Sequence, residues 1–441
     1  MKRRTFPFGW LLFGLGSQLQ LWGTSLCFTE LFVIGMTPML LSSEWPYLRR
    51  NGLTTLFWLC AAVFAGCCIS CCANHTAFSG AIRGLSATGI LVCVVVVSHW
   101  MLRKDMNGFK WFIVGSAISF ILSTFIFRQS VEINQLAGGV ADDSATQAIM
   151  SGPIYWIGRL SGVLTAPAKG WYLQCPILYS VGAPLFLAGF AMMTSVSGRS
   201  AAINALASAV LVFLGGKKQR TMKRIGRYFW LLLFIGIISA FVAKNAYSYA
   251  ASHNWLGEDA RKKYEIQTKG NKSMLALLMG GRIEAFCGLF ACLDKPLVGF
   301  GPWARDYGGY VADFFAKYGT PEDADAYFDW QRRNPGRVKL IPAHSHLVSF
   351  WLWYGIFGLI FWFYVIFVFL RFLRQDCWAV PQWYMWLAAG IPEYFWGIFF
   401  SPFSNRVGSI IFIVACLMAR AVRRGRQQLP FEMIQQIEKT K

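Results

Sequence analysis

Two of the five histidines stand two residues apart, in Pro342-Ala-His344-Ser-His346-Leu. An imidazole titrates near neutrality and takes a proton from an attacking hydroxyl, so either ring suits general-base work. Either ring equally suits a hydrogen-bonded place at an interface, and a metal pair here lacks further adjacent ligands. Arg282 is embedded in an apolar helical pattern from Met274 to Phe290, a helix suited to lying along a membrane surface. There it either snorkels to headgroups or serves a site. Arg159, Lys169 and Arg199 are isolated cations flanked by apolar sequence, and Glu393 follows Pro392 inside an apolar run. Ionisable residues at membrane depth carry a functional presumption; Glu393 either balances an arginine or reaches interfacial water.

Other groups invite a weaker reading. Asp323 and Asp325, with Glu322 and Asp329 nearby, either hold a divalent cation beside a diphosphate or line a solvated loop face. Gly299 and Gly301, in Leu293-Asp-Lys-Pro-Leu-Val-Gly-Phe-Gly-Pro302, match neither dinucleotide nor Walker spacing and read as turn punctuation. Cys67-Cys68 and Cys71-Cys72, one helical turn apart, read as packing residues. The twelve cysteines include no pair of CxxC motifs, which supports neither a zinc site nor a disulfide framework.

The elements that must carry these residues are membrane helices. Of 441 residues, 56% are hydrophobic and 14% charged, against about 45–50% and about 25% in soluble chains. That excludes an ordinary cytosolic enzyme, a disordered chain and a collagen-like fibre. A net charge of +21 would suggest nucleic acid in a soluble protein, but here its placement decides. Apolar spans occur at 52–72, 82–102, 109–127, 228–243, 347–370, 381–400 and 406–420, with a shorter one at 199–215. The stretch 6–41 has no Lys or Arg and is too long for one span, so two short helices breaking near Gly23–Ser25 are expected. Met1-Lys2-Arg3-Arg4 opens an uncleaved first helix rather than a signal peptide.

Basic clusters at Lys2–Arg4, Arg49–Arg50, Arg103–Lys104 with Lys110, Lys217–Arg227, Arg371–Arg374 and Arg420–Arg426 orient the stack by the positive-inside rule. Placing all six in the cytoplasm puts both termini inside and requires an even number of crossings. Residues 150–198 then either re-enter or form a hairpin broken near Gly182-Ala183-Pro184, for a total of ten or twelve helices. The expected fold is all-α, a polytopic membrane helix bundle. Residues 1–243 form N-terminal transmembrane helices with an outer-face segment at 129–198. Residues 244–345 form a large outer loop with short interfacial helices, longer than connections usually are. Residues 346–421 return as C-terminal transmembrane helices, and 422–441 form a cytoplasmic tail. Arg159, Arg199, the 244–345 segment and the His344–His346 triplet share the outer face.

Several segments, in this order, resemble the O-antigen ligase and polymerase family of bacterial membrane glycosyltransferases. Arg159-Leu-Ser-Gly162 with Pro167 looks like its R-x-x-G-x-x-x-x-P segment, and Ser197-Gly-Arg199-Ser looks like its S-R-G element. Arg282, twelve residues before Asp294-Lys-Pro-Leu-Val-Gly-Phe-Gly, resembles the arginine preceding that family's glycine-rich loop. His344-Ser-His346-Leu with Tyr354-Gly355-Ile-Phe-Gly358 looks like its H-N-h-x-L…x-G-x-x-G element, with Ser345 where asparagine is usual. The resemblance spans roughly residues 150–370.

The resemblance implies a donor glycan on undecaprenyl diphosphate, attacked by an acceptor hydroxyl at the periplasmic face of the bacterial inner membrane. It implies an inverting, metal-independent transfer without a cofactor. Arg199 and Arg282 would hold the charge developing on the diphosphate, with Arg159 a third cation. His344 would take the hydroxyl proton, His346 would be its fallback, and Glu393 would help bind substrate. Ligation onto lipid A–core is the leading expectation. A polysaccharide polymerase and a protein O-oligosaccharyltransferase use the same chemistry with other acceptors. A lipid-linked sugar flippase is the non-catalytic alternative, although transporters carry their charges nearer the midplane and often contain repeats.

Overall fold

The computed structural model describes residues 7–17, 19, 26–122, 204, 207–208, 210–211, 226–255, 257–258, 261, 264–265, 285–318, 329, 332–333, 338, 340–376, 381–401 and 406–427. These residues are mostly helical and contain no strand; an isolated antiparallel bridge joins Arg305 to Leu340. In chain order the helices are α1 (Pro7–Leu15), α2 (Phe28–Asn51), α3 (Thr54–Ala73), α4 (Phe78–Lys104), α5 (Phe109–Ile121) and α6 (Phe229–Ser252). They continue as α7 (Tyr310–Tyr318), α8 (His346–Tyr354), α9 (Ile356–Arg371), α10 (Pro381–Phe400) and α11 (Arg406–Gln427). Three are long and apolar enough to cross a bilayer: α3, α4, and α9 with the π turn that extends it to Asp376.

The core forms around α4, which packs on α2, α3 and α11. Ile90, Leu91 and Val94–Val97 are buried on α4, and α11 is buried continuously from Val407 to Ala419. A helix apolar on all sides is an interior helix. α1 lies on α5, where Gly14 and Gly115 let the backbones touch: a β-carbon on Gly14 would stand 2.9 Å from Ser116 N. Ser17 and Ser116 pair at 3.1 Å, and Trp10 Nε1 donates to Asp105 O at 3.1 Å. Small residues at such crossings gain van der Waals contact, the main attraction available between helices in lipid.

Two helices do occupy the N-terminal stretch, with the chain turning between Leu15 and Phe28; Gly23–Ser25 lie outside the described residues. α2 continues well past residue 41 because its buried Glu44 is paired. Arg103 donates to Glu44 through Nε at 3.0 Å and through Nη2, and His99 Nδ1 lies 3.2 Å from the same carboxylate. Asn51 Nδ2 and His99 Nε2 are 2.9 Å apart. A buried charge is tolerated only when it is paired in this way. α2 ends at Gly52, left-handed at φ 71°, with Leu53 N returning to Leu48 O at 3.0 Å.

The span expected at 347–370 is not one helix. It breaks at Gly355, whose φ of 63° and ψ of −147° suit glycine alone. Leu297 O occupies the space beside it, so the break is built by the preceding loop. The 228–243 span is also longer than expected, as α6 runs to Ser252.

The bundle has two polar ends. One gathers the N-termini of α2 and α11, the α3–α4 turn and the α8–α9 break. The other gathers the C-termini of α2, α4, α9 and α11, where Arg424 approaches Gly52.

Candidate functional site

The loop from Leu293 to Trp303 is threaded into the α8–α9 break. Ile356 N donates to Leu297 O at 3.0 Å, Phe300 N donates to Leu352 O at 2.6 Å, and Trp351 Nε1 donates to Pro296 O at 2.9 Å. Lys295 Nζ donates to Asn74 Oδ1 at 2.7 Å, while Asn74 Nδ2 donates to Gly299 O at 3.0 Å, which fastens the loop to the α3–α4 turn. The glycines of this motif therefore make close backbone contacts, in keeping with turn punctuation. Asp294 accepts from the Tyr310 hydroxyl on α7. Burial first, then Asp294, and then the more distant Asp306 and Asp313, push that hydroxyl up to about 12. Asp306 itself accepts from Tyr310 N at 2.7 Å and Val311 N at 3.0 Å, satisfying the start of α7.

Parts of the 285–341 stretch pack into a small core with α8. Ala291, Cys292, Ala304 and Ile341 bury against Val348 and Leu352 of α8. Trp303 stacks on Trp353 with ring centroids 5.2 Å apart. This core presents the Pro342–His346 turn at the head of α8.

Within that turn the two histidines differ. Ser345 caps α8: Val348 N donates to its Oγ at 3.2 Å, and that hydroxyl donates to Ile398 O at 2.8 Å, tying α8 to α10. His346 is 7% exposed, with its ring 5.0 Å from that of Trp362. It rests on Gly397, where a β-carbon would stand 2.7 Å from His346 Cε1. His344 is partly buried, outside the helix. Glu393, also half-buried, shares a face of α10 with Gly397 one turn away. The site thus brings His346, Trp362 and Gly397 together, with Glu393 a turn from them and His344 at the open edge. Such an edge can accept a proton from an incoming hydroxyl, and a sealed imidazole cannot reach one.

Arg159, Arg199 and Arg282 lie outside the described residues, as do Lys169, Asp323 and Asp325.

Sequence reading missed one polar pair at this end. Arg406 grips Glu30 with a two-pronged contact, Nε to Oε1 at 2.8 Å and Nη2 to Oε2 at 3.2 Å. Glu30 also accepts from Cys27 N at 2.8 Å, closing the first turn of α2. The available signal was that two isolated, opposite charges each open an apolar helix. Removing one partner strands the other in a buried place, which costs about 3–5 kcal/mol. Glu30→Ala should therefore lower the unfolding midpoint of the purified protein sharply, and Glu30→Leu with Arg406→Met should recover most of the loss. An unchanged midpoint in Glu30→Ala would show that the pair does not join α2 to α11.

No protein-family profile matches this chain, and no curated protein matches it in sequence.

Proposed function

We propose that the protein is an inner-membrane glycosyltransferase that moves a glycan from undecaprenyl diphosphate to an acceptor hydroxyl at the periplasmic face, as an O-antigen ligase acting on lipid A–core. The observation that carries this reading is the contrast between the two histidines at the head of α8. His346 is packed away against Gly397, whereas His344 is only partly buried in the turn before α8, and the loop that carries the glycine-rich motif is seated at the other end of that helix. Both segments belong to the set whose order resembles the ligase and polymerase family.

In the proposed reaction the acceptor oxygen attacks the anomeric carbon, the bond to the diphosphate oxygen breaks, and the configuration inverts. His344 takes the hydroxyl proton. Arg282 and Arg199, with Arg159 in support, stabilise the negative charge left on the diphosphate, so no metal is required. His346 and Glu393 shape the acceptor side. On this reading both termini are cytoplasmic, and the 244–345 segment covers the outer end of a bundle of ten to twelve helices.

The test is transfer by the purified protein, in the presence of EDTA, from undecaprenyl-diphosphate glycan to lipid A–core. Product on lipid A–core supports ligation. Longer polyprenyl-linked chains would make the protein a polymerase, and product on a protein hydroxyl an oligosaccharyltransferase. Movement of lipid-linked sugar across vesicles without any covalent product would remove the enzymatic reading.

A further inference from the structure

The end of the bundle away from the histidines carries an unbalanced cluster of charge. Asp376, in the π turn after α9, is 2% exposed and pairs with Arg371 from α9 and Arg423 from α11, while Arg420 and Arg424 of α11 act on it from farther off. Arg423 Nε lies 3.0 Å from Asp376 Oδ1, and Arg371 Nε lies 3.6 Å from Oδ2. Arg423 also donates from Nη1 to Gln375 Oε1 at 3.3 Å. Arg420 Nε is buried and has no acceptor among the described residues. Arg371 and Arg423 are only 24% and 13% exposed, so bulk water does little to offset their mutual repulsion.

Charge of this kind is stabilised by an anion that offers several acceptor oxygens. The planar guanidinium fork matches phosphate oxygens in pairs, and arginine is less strongly hydrated than lysine. The cluster's depth points to the source of that phosphate. α9 with its π turn is long enough to cross the bilayer, so its last turn falls at the level of the headgroups. Basic side chains at that level attract anionic lipid.

We propose that Arg371, Arg420, Arg423 and Arg424 form a binding site for the phosphate of an anionic phospholipid headgroup. Asp376 holds Arg371 and Arg423 in place and competes with the lipid for their charge. The proposal rests on the membrane-spanning character of α9 and is independent of any transfer activity.

The detergent-purified full chain, titrated with short-chain phosphatidylglycerol, phosphatidylcholine or inorganic phosphate and followed by native mass spectrometry, tests it. Phosphatidylglycerol should bind in preference to phosphatidylcholine. Arg420→Gln and the exposed Arg424→Gln should each weaken binding about fivefold, the equivalent of about 1 kcal/mol per cation. Asp376→Asn should strengthen binding, because it removes the internal competitor. Equal retention of the two lipids, affinities unchanged in both arginine variants, or weaker binding in Asp376→Asn would overturn the proposal. Tight binding of inorganic phosphate without a preference for phosphatidylglycerol would overturn the lipid as its source.

Discussion

If the protein catalyses the proposed transfer, alanine in place of His344 should lower it by about 10²–10⁴-fold, the range for losing a positioned general base, while stability should stay within about 0.5 kcal/mol of the parent. The partly exposed position of His344, just before the Ser345 cap and outside α8, separates the two effects. His346→Ala behaves in the opposite way. Its ring is buried against Trp362 and Gly397, so truncation opens a cavity and costs about 2–5 kcal/mol, as other large-to-small core changes do. Transfer by the surviving folded fraction of His346→Ala should fall far less than in His344→Ala, because His346 shapes the acceptor side without taking the proton. Parallel transfer assays and thermal unfolding of both variants check the pair. If His344→Ala keeps full activity while His346→Ala stays stable but inactive, the roles are reversed and the proton acceptor is the buried ring.

The helical class and most of the helices were legible because long apolar runs need no tertiary information to be recognised. The spans at 52–72, 82–102 and 381–400 correspond to α3, α4 and α10 within a few residues at each end. Polar pairing inside a helix was not legible. The expected apolar stretch stops at residue 41, short of Glu44, but Arg103 and His99, more than fifty residues later, hold that carboxylate within α2. Spacing alone carries no record of such a partner. The break at Gly355 was hidden for a related reason, since an apolar run reads as continuous when a backbone carbonyl from another segment interrupts it. At the candidate site the sequence singled out both histidines but could not separate them. Burial by Gly397 is what distinguishes His346, and nothing in the local sequence around 344–346 encodes it.

Gly355→Ala should be the most disruptive single-methyl substitution in the described bundle. The backbone at φ 63° and ψ −147° costs an L-residue about 1–3 kcal/mol before any contact is counted. The added β-carbon would then collide with Leu297 O, a backbone atom already engaged with Ile356 N at 3.0 Å and unable to retreat as a flexible side chain could. Relief requires the 293–303 loop to leave the break, which would also release Phe300 N from Leu352 O and loosen the Trp351–Pro296 contact. A total above about 3 kcal/mol follows, expected as a large fall in the unfolding midpoint and as new protease cleavage between Leu293 and Trp303. Gly425→Ala is the matched control: it lies in α11 with open space around its β-carbon position, and should be neutral or stabilising by about 0.5–1 kcal/mol. Transfer should fall in Gly355→Ala even below the temperature of unfolding, because the loop fixes the α8–α9 break, on which the placement of α8 and so of His344 depends. A Gly355→Ala protein that melts and resists protease like the parent would mean that α8 and α9 are one continuous helix, and that the loop does not support the site.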